Sequence, residues 1–221
     1  MLRRLPVWVE LWAAGLAMIA GMANAAILVG HAHEAVAHAS GPTTQAAMAI
    51  ASGELGRALH LLIGVGAFLA GAVLAGILID ASRLRLGRRY PACLAIEAAL
   101  FVLAGEMLAH GTIEGIYPAA MACGLQNALA TSYSSTAIRT THITGAVTDV
   151  GLWIGRRLRG APVDRRAMLL LSGIIGGFIA GGVLGALLHT AIGHRALHAC
   201  AGGCALFAIA HLLAPSRPPS G

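Results

Sequence analysis

The chain consists mainly of long apolar segments, and this feature restricts what it can fold into. Six segments come close to the roughly 20 apolar residues that a membrane-crossing helix needs. They are Leu5–Val29, Ala58–Ile79, Pro91–Ala109, Gly115–Tyr133, Ala167–Leu188 and Ala196–Ala214. Only 11% of the residues are charged, against about 25% in ordinary soluble domains. The sequence therefore predicts an all-α integral membrane protein with six transmembrane helices.

Two further apolar segments, Ala39–Ala51 and Thr144–Ile154, are too short to cross a bilayer. Each is predicted to be a broken or re-entrant half-helix, or a helix lying at the interface.

The Arg residues predict the orientation of the spans. If only the six long segments cross, twelve Arg residues fall on one side and two, Arg57 and Arg195, on the other, with Arg139 beside a short segment. Positively charged loops face the cytoplasm. We therefore expect a multi-pass protein of the cell inner membrane with both termini in the cytoplasm. Short Arg runs between apolar spans do not build the soluble basic face that nucleic acid requires, so nucleic acid is not a predicted partner.

The two halves of the sequence repeat one another. Residues 21–25 match 124–128, and residues 38–44 match 142–148. The second match, His-x-[Ser/Thr]-Gly-x-x-Thr, is the more specific because polar residues are scarce in this chain. Each half has three crossings, an odd number, so the second half is predicted to be inverted, as in many secondary transporters. We expect one membrane domain, 1–221, built from repeats 9–110 and 114–214.

These two motifs resemble the YoaK family, which is also catalogued as a domain of unknown function. The resemblance covers nearly the whole chain, and residues 139–145, Arg-Thr-Thr-His-Ile-Thr-Gly, are its most specific part. It implies a six-span membrane protein and supplies no substrate or reaction. The chain departs from the family pattern at Asn24, where many members carry an acidic residue, and at residues 40–42, Ser-Gly-Pro rather than Thr-Gly-Asn.

The repeated motif supplies a candidate substrate site. A half-helix that begins inside the membrane directs free N–H groups and a positive dipole end toward the midplane, which suits an anionic or carboxylate group. The candidate substrate-binding residues are Asn24, His38, Ser40, Gly41, Thr44, Asn127, Arg139, His142, Thr144, Gly145, Thr148 and Asp149.

Structural interpretations of these residues stay open beside the functional one. The Ser-Gly and Thr-Gly pairs can be capped helix breaks that only the fold requires. Asn24 and Asn127 can make interhelical hydrogen bonds. Arg139 can pair with Asp149, or lie at the cytoplasmic interface.

The remaining ionisable and small residues in the spans have simpler interpretations. Glu10 and Glu106 lie toward span ends, where a side chain reaches water, whereas Glu97 is open as a proton-coupling candidate. The four Cys residues are interpreted as small buried hydrophobes. Five glycines are predicted to allow close helix packing through small-xxx-small spacing. They are Gly66, Gly71, Gly76, Gly177 and Gly181.

The leading functional hypothesis is a small inverted-repeat transporter or permease for an unidentified small solute, for which an anion would fit. The alternative is a membrane metal- or haem-binding protein that uses outer-side histidines such as His31, His33, His194 and His198. No histidine spacing matches a strong metal motif, so neither a metal nor a cofactor is predicted. No catalytic spacing supports an enzyme. The partners expected are lipid and the solute, and a homo-oligomer remains open.

Overall fold

The computed structural model describes residues 7–30, 34–79, 89–134 and 143–213. Eight α-helices lie in these ranges, and no strand does. They are α1 (Val7–Val29), α2 (Ser40–Ala51), α3 (Leu55–Leu78), α4 (Arg89–Ala109), α5 (Ile116–Ser134), α6 (Ile143–Leu158), α7 (Arg165–Ile192) and α8 (Leu197–Leu213). Short 3-10 turns, Ile113–Gly115 and Gly193–Ala196, precede α5 and α8. The all-α prediction is confirmed.

The bounds of α7 differ from the hydropathy pattern for a local reason. Its apolar run begins at Ala167, yet the helix begins at Arg165. The Asp164 carboxylate accepts hydrogen bonds from the N–H groups of Arg166 and Ala167, at 3.1 and 3.2 Å, and so caps the first turn. At the other end, Gly193 takes a φ of 63°, a conformation that glycine adopts without strain, and the chain turns into α8.

Four helical stretches of the described chain are long and apolar enough to cross a membrane. They are Leu11–Val29, Leu55–Leu78, Arg89–Ala109 and Arg165–Leu213, the last of which contains both α7 and α8. Large apolar side chains also cover the outside of the bundle; on α3, Leu69 and Ile77 are exposed. An apolar outer surface of this kind indicates a lipid environment. The chain is therefore a membrane protein.

The long helices pack in three pairs, α1 with α7, α3 with α5, and α4 with α8. Contacts between α1 and α7 advance together along both helices, so the two run parallel. They join Ala14 to Gly177, Met18 to Gly181 and Met22 to Gly185. The α3–α5 pair is also parallel, since His60 lies beside Tyr117 and Gly71 beside Leu125. The α4–α8 pair is antiparallel, with Tyr90 beside His211 and Gly105 beside His198.

Glycine allows the closest of these approaches. At Gly71, Gly177 and Gly181 a Cβ atom would overlap a main-chain carbonyl of the neighbouring helix, so the prediction of close packing is confirmed there. It is wrong for Gly66 and Gly76, where a Cβ would meet nothing within 4 Å. Gly66, Gly71 and Gly76 recur at regular intervals along α3, but of these three only Gly71 lies on the face that meets α5.

The two short helices attach to different pairs. α2 packs on α3, and α6 packs on α7. The helix pairs that pack closely do not include α2 with α6. Most of the buried side chains lie between α1, α4, α5 and α8, so these four helices form the centre of the bundle.

Candidate functional site

An open pocket lies where the start of α2 meets α3 and α5. It contains about 330 Å³ of empty space, counted out to its open mouth. Its apolar wall comes mainly from α3 and α5, and its polar wall from the segment that enters α2. The lining residues are Glu34, Ala35, Val36, His38, Ala39, Pro42, Leu61, Gly64, Val65, Phe68, Ile116 and Ala120. A concave apolar site with a few polar groups is typical of small-molecule binding.

Asn24 holds the polar wall of this pocket in place. Its side-chain oxygen accepts hydrogen bonds from the N–H groups of Val36 and Ala37, at 3.0 and 3.1 Å. All three residues are buried. The connection after α1 is therefore drawn back alongside the body of that helix before α2 begins. Asn24 positions the pocket and is not one of its lining residues.

A chain of polar side chains begins at the pocket and crosses from α3 to α5. Nε2 of His60 lies 3.5 Å from a Glu34 carboxylate oxygen, and Nδ1 of His60 is hydrogen-bonded to the Tyr117 hydroxyl at 2.6 Å. Burial raises the pKa of Glu34 above its ordinary value, partly offset by the positive charges of His60 and Arg57. Burial also lowers the pKa of His38. Two groups that line the pocket are thus displaced toward their neutral forms.

Apart from Asn24, the first-half residues of the predicted site lie at or next to the start of α2, and one of them is part of the pocket lining. His38 lines the pocket, and the Cβ direction of Gly41 points at the His38 ring, at 3.2 Å. Ser40 is the first residue of α2 and makes no side-chain cap, so the expected capping role is wrong. Thr44 lies one turn further and donates its hydroxyl to the Ser40 carbonyl at 2.9 Å.

The second-half residues lie on α6, away from the pocket. Thr148 donates its hydroxyl to the Thr144 carbonyl at 2.8 Å, the same arrangement as in α2. Thr144, Thr148 and Asp149 are exposed, and Gly145 is half-buried. The structure thus places the two half-motifs on separate helices that pack on α3 and α7, and does not bring them together. Arg139 and His142 lie outside the described residues.

Asn127 and its neighbour Gln126 lie inside the bundle on α5. The Gln126 amide donates to the Leu16 carbonyl of α1 at 2.5 Å, which is an interhelical hydrogen bond. Asn127 is half-buried, and its side-chain oxygen has no hydrogen-bond partner among the described residues. Gln126 and Asn127 lower the mean hydropathy of α5, which is not among the four stretches identified above as apolar enough to cross a membrane. Gln126 is nevertheless fully buried, so protein rather than lipid surrounds it.

The structure shows the surroundings of one acid whose role the sequence left open. Glu97 of α4 is fully buried. The titratable groups near it include the thiols of all four cysteines, which are themselves free and buried. In the sequence, an acidic residue within an apolar span was the one indication that this position has a function. What the sequence could not supply was the side of α4 on which it lies.

The outer-end histidines that the structure describes contact other side chains in pairs. His198 Nε2 lies 3.0 Å from a Glu106 carboxylate oxygen, and the rings of His189 and His194 stack edge to face with centroids 4.8 Å apart. Within the described ranges, no group of three or more His, Cys, Asp or Glu side chains is placed to hold a metal ion. His31 and His33 lie outside those ranges.

Comparison with known proteins identifies a family and no function. The family described as "Protein of unknown function (DUF1275)" matches residues 12–210, nearly the whole chain. The YoaK-type proteins belong to it, so the resemblance drawn from the two motifs is confirmed. No curated protein and no solved structure matches the chain.

Proposed function

The chain belongs to the DUF1275 family of proteins of unknown function, and we propose that it is a small membrane permease whose solute enters through the pocket at the start of α2. The observation that carries this proposal is the pocket itself. Glu34 and His38 face an apolar cleft beside the first turn of α2, in a chain with very few charged residues. The main-chain N–H groups of Ser40 and Gly41, at the positive end of this helix, favour a solute with an anionic group.

The apolar lining supports a small solute. Leu61, Val65 and Phe68 contribute from α3 and Ile116 from α5. The empty space of about 330 Å³ includes solvent outside the cleft, so the enclosed part holds a small group at most. Burial raises the pKa of Glu34, so the carboxylate that would repel an anion forms less readily there than at an exposed site.

We further propose that the two halves are an inverted repeat of three crossings each. Matched contacts support this. Gly21 lies against the Phe178 carbonyl as Gly124 lies against that of Phe68. Gly21 matches Gly124 in the repeat, and residues 68–74 match residues 178–184 in the same order along the two halves. Helices α1, α4 and α7 run in one direction and α3, α5 and α8 in the other, which fits six crossings. The 19 residues of α5 give a helix of about 28 Å, close to the bilayer's hydrocarbon thickness of about 30 Å.

The proposed orientation places both termini in the cytoplasm of the inner membrane. Among the described residues, Arg89, Arg165 and Arg166 lie at the end of the bundle where α4 and α7 begin. Arg57 and Arg195 lie at the opposite end, with the pocket. The pocket then opens toward the outside. The Thr144–Asp149 region of α6 would lie on the inner half and is the proposed counterpart of the pocket residues for the inward-facing state.

A pair of glycine substitutions on α3 tests the proposal. Gly64 lines the pocket and Gly66 is exposed, and a Cβ at either position meets nothing within 4 Å. Gly64→Leu should therefore add a side chain at the pocket with no clash at its Cβ atom, and Gly66→Leu is the matched control. In proteoliposomes, we expect wild type and Gly66→Leu to take up at least one of radiolabelled acetate, phosphate, glycine and glutamate saturably, and Gly64→Leu to lose that uptake. Equal uptake by the two variants contradicts the pocket; no saturable uptake by wild type contradicts the permease.

A further inference from the structure

Glu97 is a fully buried acid at the centre of the bundle. It is the ninth residue of α4, about 12 Å along the helix axis from its start, and none of its surface is exposed. Charged groups at such depth are rare and generally mark ion or proton pathways. An apolar residue of similar size would pack there at lower cost, so packing alone does not explain an acid.

Among the described residues, no cation faces Glu97 from the helices packed around it. The titratable groups that interact with it are thiols: Cys93 from its own helix, Cys123 from α5, and Cys200 and Cys204 from α8. Two other ionisable groups on α4 and α8, Glu106 and His198, pair with each other at the outer end, and Tyr90 and His211 contact each other at the inner end. Thiols carry no charge that would stabilise a carboxylate.

The hydrogen bonds around Glu97 also favour its neutral form. Neither carboxylate oxygen accepts a hydrogen bond of good geometry from the described residues, and the Cys204 thiol, a weak donor, is the polar group that interacts with the side chain. An ionised carboxylate normally accepts several hydrogen bonds when it is buried. The surroundings hold a carboxylic acid rather than its anion.

We propose that Glu97 carries the coupling proton of the transport cycle, protonated in this state and deprotonated when movement of α4 against α8 admits water. This inference rests on the permease proposed above. In the cycle, the carboxyl O–H bond breaks as the proton passes to water on one side, and it re-forms with a proton taken from water on the other. One proton moves per turnover, and no other group is consumed. The pairing of α4 with α8, one helix from each half, places Glu97 where relative movement of the halves would change its exposure.

Infrared spectroscopy tests the protonation directly. Glu97→Gln keeps the size of the side chain and removes the titratable proton, and Glu106→Gln on the same helix is the control, because Glu106 is partly exposed and paired with His198. All spectra are taken with Glu34→Gln as a common background, because burial also raises the pKa of Glu34. At pH 7.5, we expect this background and its Glu106→Gln variant to show the carbonyl stretch of a protonated carboxyl, and its Glu97→Gln variant to lose it. A background spectrum without this band, or a Glu97→Gln spectrum that keeps it, overturns the assignment.

Flux measurements test the coupling. With acetate, phosphate, glycine and glutamate as probes in proteoliposomes, a pH gradient that is acidic outside should accelerate uptake by wild type and Glu106→Gln. Glu97→Gln should keep gradient-independent uptake and lose the acceleration, and Glu97→Asp, which retains a carboxyl, should keep part of it. Acceleration that survives in Glu97→Gln overturns the proposal. If Glu97→Gln does not fold, loss of acceleration in folded Glu97→Asp would also overturn it.

The two proposals fail in different ways. A wild type that takes up a probe without any response to the gradient overturns the coupling and leaves the permease standing. A wild type that takes up no probe overturns both, while the infrared band still decides whether Glu97 is neutral.

Discussion

Gly71 of α3 lies directly against the main-chain carbonyl of Met121 of α5, and a Cβ atom would not fit between them. Gly181 of α7 makes the same contact with the Met18 carbonyl of α1. Small residues let helix backbones approach closely enough for van der Waals contact and Cα–H···O interactions, which hold membrane helices together where lipid removes the hydrophobic driving force.

Gly71→Ala and Gly66→Ala should therefore change stability in opposite directions. At Gly71 the added methyl meets backbone that cannot move aside, so we expect a loss of about 1–3 kcal/mol, as for overpacked cores. At Gly66 the methyl meets open space, and replacing a mid-helix glycine should gain roughly 0.5–1 kcal/mol. Thermal unfolding in detergent measures both. Equal effects of the two variants would contradict the α3–α5 contact.

Asn24→Leu should release the segment that forms the polar wall of the pocket. Two buried N–H groups, of Val36 and Ala37, lose their acceptor, and each buried unsatisfied donor costs about 1–3 kcal/mol. We expect a lower thermal midpoint and faster proteolysis within residues 34–39. Asn24→Asp keeps an oxygen acceptor and is the control. If Asn24→Asp is as damaging as Asn24→Leu, the hydrogen bonds are not what stabilises the segment.

Cysteine labelling should establish the orientation. The four native cysteines are buried, so the wild-type protein should stay unlabelled by a membrane-impermeant maleimide and serve as the control. In intact cells, we expect labelling of Glu54→Cys and Glu114→Cys from outside, and of Arg159→Cys only after permeabilisation. Labelling of positions 54 and 159 from the same side would rule out the proposed topology.

Glu34→Gln should make stability less dependent on pH. Burial raises the pKa of Glu34 in the folded state, so this residue's contribution to stability is complete below the unfolded pKa and is lost as pH rises through the folded one. The glutamine variant does not ionise, and its thermal midpoint should gain on that of wild type between pH 4.5 and pH 8. In the free energy of unfolding, we expect the variant to gain at most about 1 kcal/mol over this range, because His60 and the open mouth of the pocket reduce the cost of ionising Glu34. A difference that is constant across this range would contradict the raised pKa.

Thr148→Val should separate a binding role from a structural one. The Thr148 hydroxyl is exposed and donates only within its own helix, as does that of Thr44. Removing it should change the free energy of unfolding by no more than about 0.5 kcal/mol. Weaker binding of the transported probe with unchanged stability would support the proposed contact with solute. Lower stability with unchanged binding would contradict it.

The sequence by itself determined the helices and their membrane environment. Each apolar run is long enough to specify a helix whatever its neighbours are, because a backbone in lipid must satisfy its own hydrogen bonds. The two short apolar segments were also predicted to be helical, and α2 and α6 begin within one residue of the predicted starts. The motifs at residues 21–25 and 139–145 also carried the family assignment.

Only the tertiary structure decided which side chains meet. Gly66 and Gly71 have the same local pattern, but the rotation of α3 against α5 turns only Gly71 into the interface. Glu34, His60 and Tyr117 come together from three separate segments, and the sequence gives no sign of that meeting. Glu97 is buried because α4 packs on both α5 and α8. Helix pairing and rotation depend on packing along the whole length of each helix, so they cannot be read from the local hydropathy that specifies the helices themselves.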